Sequence, residues 1–479
     1  MTPGTLPNRP GRFLGIPDQL VSPAGKRVVL LIAILAGFIT PFDGSAVNIA
    51  LPVIGAEFHM DAIALSWVST AYLLASAIFL VPFGKIADIY GRKKIFLIGI
   101  VVFAAASFAM TLVESSGMLI LVRVFQGIGS SMIFGTAVAI LTSVFPPGER
   151  GKVLGIYITA VYIGLSTGPF LGGLLTEHFG WRSIFYINVP ISIVAIILVL
   201  WKLKGEWADS RGEPFDIGGS VIYAVSIVAV MLGFTTLPDP AGVMLIIAGA
   251  ICAVIFFRYE HRKEFPVLET RLFTKSRVFA YSNLAALINY SATFAVSFLL
   301  SLYLQYSRGF SPVFAGFILI AAPVMQAVIS PFSGNASDRI DPGVIASIGM
   351  GLSALGLFLL IFIGDATPLW YIIGALLLIG IGFGFFTPPN TNAIMGAVAK
   401  EYYGVASGIV GTMRLLGQML SMGIATMIFA LVIGHVEITP QYYPAVVQSV
   451  QYAFALFTVL CVIGIYASLQ RANKRVTGE

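Results

Sequence analysis

Acidic residues are nearly absent from the long apolar runs of this chain, and Asp43 is the one that stands well inside such a run. Holding a carboxylate charged at that depth costs about 2.5–3.5 kcal/mol, so it is a functional candidate by default. Low dielectric works against the ionised form, which suits Asp43 to loading and releasing a proton. The alternative is a carboxyl kept permanently neutral or paired, tying helices together. Arg123, Gln126 and Ser130 stand at i, i+3 and i+7 and so share one helix face. Counting inward at ~1.5 Å per residue, Arg123 lies ~9 Å and Asp43 ~16 Å below the same edge, near enough to meet. A neighbouring guanidinium favours the carboxylate, so parting the two would drive proton uptake. The alternative for Arg123 is a structural arginine capping carbonyls. Other polar and aromatic interruptions are candidates to line a cavity: Asn48, Trp67, Tyr72, Gln126, Asn289, Tyr290 and the i, i+4 pair Arg414 and Gln418. The aromatics compete with a plainer role as packing or lipid contacts.

The composition says what must hold these residues. Of 479 residues, 58% are hydrophobic and 10% charged, and the mean hydropathy is +0.93. A soluble chain needs far more charge to cover its surface. The apolar residues come in runs of about twenty, enough to cross ~30 Å of hydrocarbon. Fourteen spans are expected, at 28–54, 64–83, 95–113, 117–144, 153–176, 183–201, 217–236, 242–257, 279–306, 312–332, 344–364, 368–396, 405–433 and 445–469. With the N-terminus inside, Arg182 and Arg308 fall outside, Arg123 and Arg414 fall within spans, and the rest of the 28 Lys and Arg fall on the inner side. That asymmetry predicts both termini in the cytoplasm and supports the count, because one span more or fewer would scramble it. It also accounts for the net charge of +6 without nucleic acid. The first run is too long for the core of a cleaved signal peptide and reads as a retained span. Cys252 and Cys461 lie in separate apolar runs, so neither a disulfide framework nor a metal cluster is implied. His59, His178, His261 and His435 are expected in loops, which argues against a buried histidine relay.

The chain resembles itself at an offset of about 250 residues. Gly84-Lys-Ile-Ala-Asp88 is similar to Gly334-Asn-Ala-Ser-Asp338, and Gly151, Gly155 and Gly164 match Gly404, Gly408 and Gly417 in spacing. Chance spacing of 50 glycines is the competing explanation. Two equivalent six-helix bundles with two helices inserted between them are therefore expected, an arrangement used for alternating access.

Four motifs sharpen this. The loop from Gly84 through Asp88 and Gly91 to Arg92, Lys93 and Lys94 is a tight turn with one carboxylate and three adjacent cations. Asp88 can pair with an arginine or a neighbouring helix N-terminus and latch one conformation. Simple positive-inside charge would explain the cations but not the glycines and the acid. The pattern resembles the signature loop of the major facilitator superfamily, where it implies a conformational latch. Gly155, Gly164, Gly168, Pro169, Gly172 and Gly173 lie along the fifth span. Residues 164, 168 and 172 make a bare stripe for close helix packing, and Pro169 bends the helix. This stripe resembles the antiporter motif of exporting branches of that superfamily. Phe42-Asp43 with Asn48 and Pro52 in the first span, and Trp181 with Asn188 and Pro190 opening the sixth, together with fourteen spans, resemble the drug:proton antiporter branch. Arg123-Val-Phe-Gln126-Gly127 is similar to the superfamily's arginine motif of the fourth span.

The fold class expected is thus all-α integral membrane, with a cytoplasmic tail (1–27), an N-terminal bundle (28–201), two linker helices with cytoplasmic loops (202–278), a C-terminal bundle (279–469) and a second tail (470–479). The Gly-Lys pairs at 25–26, 84–85 and 151–152 are never followed by Ser or Thr, so no phosphate-binding loop is present and a gradient must supply the work. Sodium is disfavoured, since Asp43 alone makes a poor oxygen cage. The expected function is proton-coupled multidrug efflux of amphipathic small molecules, by a monomer in the cell membrane. No enzymatic activity, catalytic residue, cofactor or metal is expected, and the partners are protons, substrate and lipid. The alternative is a dedicated exporter of a native metabolite, lipid or siderophore. A channel or receptor fits the glycine stripe and latch loop poorly. Two intramembrane arginines against one acid suit neutral, monocationic or anionic substrates.

Overall fold

A computed structural model describes residues 23–337, 339–399 and 402–471. Asp338 of the repeat, Lys400 and most of the two expected tails lie outside the described residues. Among the described residues, fourteen helices are long and apolar enough to cross a membrane. They are α1 (Pro23–Phe58), α2 (Ala62–Tyr90), α3 (Arg92–Met110), α4 (Ser116–Val144), α5 (Pro147–Phe179), α6 (Arg182–Lys202) and α7 (Ile217–Thr236). They continue with α8 (Pro240–Arg262), α9 (Arg277–Ser307), α10 (Pro312–Ala336), α11 (Pro342–Leu360), α12 (Leu369–Gly396), α13 (Tyr403–Val432) and α14 (Tyr443–Leu469).

In hydrocarbon no water satisfies the backbone, so each span is helical nearly throughout. The ends are closed by side chains. Asp61 accepts the Ala64 N–H at 2.6 Å, and Ser115, Asp216, Ser276, Ser311 and Asp341 cap α4, α7, α9, α10 and α11 in the same way. Several helices outrun their apolar stretches. His178 and His261, expected in loops, instead occupy the last turns of α5 and α8. Periodicity ends with the apolar run, whereas the hydrogen-bonded spiral continues into the interface.

Helix α1 packs on α5 and α6, α4 on α2 and α3, and α3 on α6. The same pairings recur as α9 with α13 and α14, α12 with α10 and α11, and α11 with α14. A Cβ at Gly168 of α5 would sit 2.6 Å from Ser45 on α1, and one at Gly417 of α13 would sit 2.6 Å from Tyr290 on α9. Close α1–α5 and α9–α13 approach is thus achieved twice by the same device. The hairpin α7–α8 stands apart from both bundles but leans on each: Tyr223 donates to the Ala77 carbonyl of α2 at 3.0 Å, and Gly423 of α13 lies under Met231 and Phe234.

The hydrogen bonds that join the halves cluster at the end away from the Asp88 loop. Ser301 donates to the Asn48 carbonyl (2.8 Å), Gln305 to that of Ile49 (2.9 Å) and Thr426 to Ser66 (2.8 Å). The Val313 N–H donates to Glu177 (3.0 Å) and the Ala62 N–H to the Val436 carbonyl (3.1 Å). Toward the Asp88 end, Gly84, Gly155, Gly404 and Gly408 face open space. The halves are closed at one end and parted at the other.

Candidate functional site

Midway along α1, Asp43 meets α4 and α6. Its Oδ2 accepts from Arg123 at 2.5 Å, and its Oδ1 accepts from Gln126 at 3.0 Å and Asn188 at 2.8 Å. Arg123 also donates to the Gln126 side-chain oxygen (2.6 Å) and the Val68 carbonyl of α2 (3.0 Å), while Gln126 donates to Ser107 of α3 (3.0 Å). All five side chains are 0% exposed. The remaining guanidinium nitrogen has no hydrogen-bond acceptor. Instead the group lies 4.5 Å from the centroid of Tyr72, whose electron-rich face suits a desolvated cation. The Tyr72 hydroxyl in turn meets Ser130 at 2.8 Å. A buried ion pair of this quality holds only while both partners stay together, because separating them strands two charges in low dielectric. The spacing of Arg123, Gln126 and Ser130 brings all three to one face. Asn188 and Ser107 were not singled out as site residues; Asn188 had a visible signal as a polar interruption of α6, Ser107 had none.

The glycine stripe of α5 carries the neighbouring contact. Gly164 lies against the Phe38 backbone, Gly168 against Ser45 and Gly172 against Ala46, so α5 is pressed along the stretch of α1 that bears Asp43. Ser45 donates to the Leu165 carbonyl at 3.0 Å. Around the helix, Gly173 abuts Pro312, and Gly316 of α10 abuts Pro169. One helix thus connects the Asp43 segment to the opposite half. Gly155, further along, faces open space.

The second half supplies a different environment. Arg414 on α13 is half-buried, and its guanidinium lies 5.1 Å from the Phe134 ring centroid on α4, across the gap. Gln418, one turn on, is half-buried with no hydrogen bond among the described residues. Tyr290 packs edge-on against Phe383 at 5.7 Å. Asn289 is fully buried, with neither side-chain polar atom hydrogen-bonded. Asn48 is in the closed seam, accepting from Ser69 at 2.7 Å, and Trp67 is half-buried on α2.

The Asp88 loop lies far from these groups. Asp88 pairs with Arg92 at 2.7 Å, and Arg92 reaches Asp209 at 2.8 Å and Ser143 at 2.7 Å. Gly91 has φ 123°, a conformation that favours glycine. The segment after α6 wraps this turn: the Trp207 carbonyl accepts the Arg92 N–H at 2.8 Å, and the Ser210 N–H reaches the Asp88 carbonyl at 2.9 Å. Gly84 faces open space. The acid therefore sits with its own arginine, and the clasp comes from the segment joining α6 to α7. Among the described residues, no group of three His, Cys, Asp or Glu could hold a metal ion.

Comparison with known proteins agrees with this architecture. A family model for the Major Facilitator Superfamily matches residues 33–422 and 282–477. The riboflavin transporter RibZ of Clostridioides difficile is 30% identical over 443 residues, covering 92% of this chain and 96% of that protein. The multidrug resistance protein Stp of Mycobacterium tuberculosis is 30% identical over 417 residues, 85% of this chain and 76% of that one. The tetracenomycin C resistance and export protein of Streptomyces glaucescens is 29% identical, covering 86% and 78%. A bacterial homologue of the human lysosomal transporter Spinster, in an inward-facing and unoccupied conformation, superimposes with a TM-score of 0.67 at 16% identity, over 96% of this chain and all of that one.

Proposed function

Because the chain belongs to the Major Facilitator Superfamily, we propose that this transporter is a proton-coupled antiporter exporting amphipathic small molecules by alternating access. It works as a monomer in the cell membrane, with both termini in the cytoplasm. The observation that carries the reading is the Asp43–Arg123 pair, fully buried and shared between α1 and α4. In the present state, which, with the basic loops in the cytoplasm, is open inward, Arg123, Gln126 and Asn188 all donate to the Asp43 carboxyl. Rocking the halves to open the other end strains α1 against α4 through the α5 stripe. Once Arg123 separates from Asp43, the stranded carboxylate takes a proton from outside, and returning to the inward state expels it. At ~2.3 kcal/mol per charge per 100 mV, one proton sustains a substrate gradient of roughly fiftyfold. The Asp88–Arg92–Asp209 clasp holds the α6–α7 segment during this cycle.

Relatives named for multidrug resistance and for tetracenomycin C export support efflux of foreign amphiphiles. A second reading, a dedicated carrier of a native metabolite, is favoured by the riboflavin transporter that aligns over almost the whole chain. Transport in everted vesicles with an imposed pH gradient tests both, using aromatic dyes and riboflavin as cargo. Export reads as dye uptake that collapses when an ionophore removes the gradient. Uptake indifferent to the gradient rules out antiport; riboflavin carried alone moves the assignment to the second reading.

A further inference from the structure

We propose that the cargo is an anionic aromatic molecule, its carboxylate, sulfonate or phosphate held by Arg414 and its rings by the tyrosines around that residue. This rests on the export reading above and names its substrate class.

Of the two arginines within spans, Arg123 is neutralised by Asp43 at 2.5 Å. Among the described residues, no carboxylate lies within ion-pair distance of Arg414. Its partner is the Phe134 ring, at 5.1 Å from the other half. Of the two arginines within spans, Arg414 is therefore the one without an opposite charge beside it. Asp43 cannot supply one, since three side chains already occupy its oxygens and it is 0% exposed. A half-buried guanidinium without a counter-ion is unusual, because desolvation is normally offset by a carboxylate or carbonyls. Here the missing partner is supplied by whatever enters the gap.

The surroundings say what that partner carries besides charge. Tyr157, Tyr162 and Tyr290 lie within electrostatic range of Arg414, on α5, α5 and α9, and Tyr290 packs against Gly417, three residues along the same helix as Arg414. Tyr157 is buried, and its hydroxyl has no hydrogen-bond partner. Gln418 adds an amide one turn from Arg414, with no hydrogen bond among the described residues. Aromatic walls favour a planar ring system, the free amide and hydroxyl suit polar edges, and the planar fork of Arg matches a two-oxygen anion. A lipophilic cation would meet an unscreened like charge in a low-dielectric space.

The test is equilibrium binding to the purified protein by fluorescence anisotropy, using fluorescein and rhodamine 6G, which share a three-ring skeleton and carry opposite charge. The expected result is saturable fluorescein binding at least tenfold tighter than that of rhodamine 6G. Arg414→Gln should weaken fluorescein tenfold or more and leave rhodamine 6G unchanged or tighter. Arg414→Lys, which keeps the charge, should preserve the order of preference, and an unchanged thermal midpoint shows that both variants fold. Equal binding, a preference for rhodamine 6G, saturable binding of neither dye, or a preference that survives in Arg414→Gln overturns the inference. Because binding needs no gradient, failure here leaves antiport standing, and failure of the vesicle assay leaves this preference standing.

Discussion

In the first half, Asp43, Arg123, Gln126, Asn188 and Ser107 close a network with no exposed surface. In the second half, built on the same helix pairings, the corresponding depth holds almost no charge. About 250 residues after Asp43 and Arg123 stand Thr293 and Ile373. The polar groups that do occur there, Arg414, Gln418 and Asn289, lack protein partners of matching strength. The second half does have a well-bonded arginine, Arg471, which donates to Asn390, Ser282 and Ser468, but at the end of α14. Burial brings that guanidinium down to about 10, against the pull of Asp341, so it stays charged at neutral pH. The first bundle pairs its buried cation with a carboxylate; in the second, Arg414 has no carboxylate beside it among the described residues.

That contrast can be broken most directly at Asp43. Asp43→Asn keeps the size of the side chain but removes the titrating charge and, because an amide nitrogen cannot accept, one side of the hydrogen bonding; it should abolish the roughly fiftyfold substrate gradient in vesicles. Retained coupling in this variant would move the proton site elsewhere while leaving the fold untouched. Next in size, Arg123→Gln strands a buried carboxylate and should cost ~3–5 kcal/mol at neutral pH, read as a fall in thermal or denaturant midpoint. Combining it with Asp43→Asn should recover much of the loss. Additive losses would mean the two residues act separately.

Packing gives a smaller effect. Gly168→Val drives a side chain into Ser45 and should cost ~1–3 kcal/mol, whereas Gly408→Val, which faces open space, should change stability by under ~0.5 kcal/mol. At the latch, Asp88→Asn removes an i, i+4 pair of ~0.3–0.5 kcal/mol, so labelling of a cysteine placed at Gly408 should change only about twofold. The smallest change sharpens the contrast most: Arg414→Gln should shift the unfolding midpoint by less than ~0.5 kcal/mol. A loss like that of Arg123→Gln would make Arg414 a structural residue.

Much of this was legible in the residues. Fourteen runs of membrane length and the matched glycines announced two bundles with an inserted pair. The helical spacing of Arg123 and Gln126, with the depth of Asp43, brought the pair within reach of one another. Less could be seen of what completes the network. Ser107 is one serine among many, and nothing local marks which serine another helix will meet. Asp88 was expected to pair with an arginine or a neighbouring helix N-terminus; which arginine could not be read, and it is Arg92, one turn on, with the α6–α7 segment folded back over the turn.

Composition and the length of the apolar runs determined that the chain is a helical membrane protein, since lipid admits only helices and closed barrels and runs of about twenty residues are twice the length of a barrel strand. The glycine spacing also determined that one face of α5 is approached closely, because a bare stripe can be read before its partner is known; that the partner is α1 came from the packing. Only the tertiary structure decided that Arg123 is neutralised while Arg414 is not. Both are single arginines in apolar runs, and the difference lies in which distant carboxylate the packing of α1, α4 and α6 delivers to one and withholds from the other.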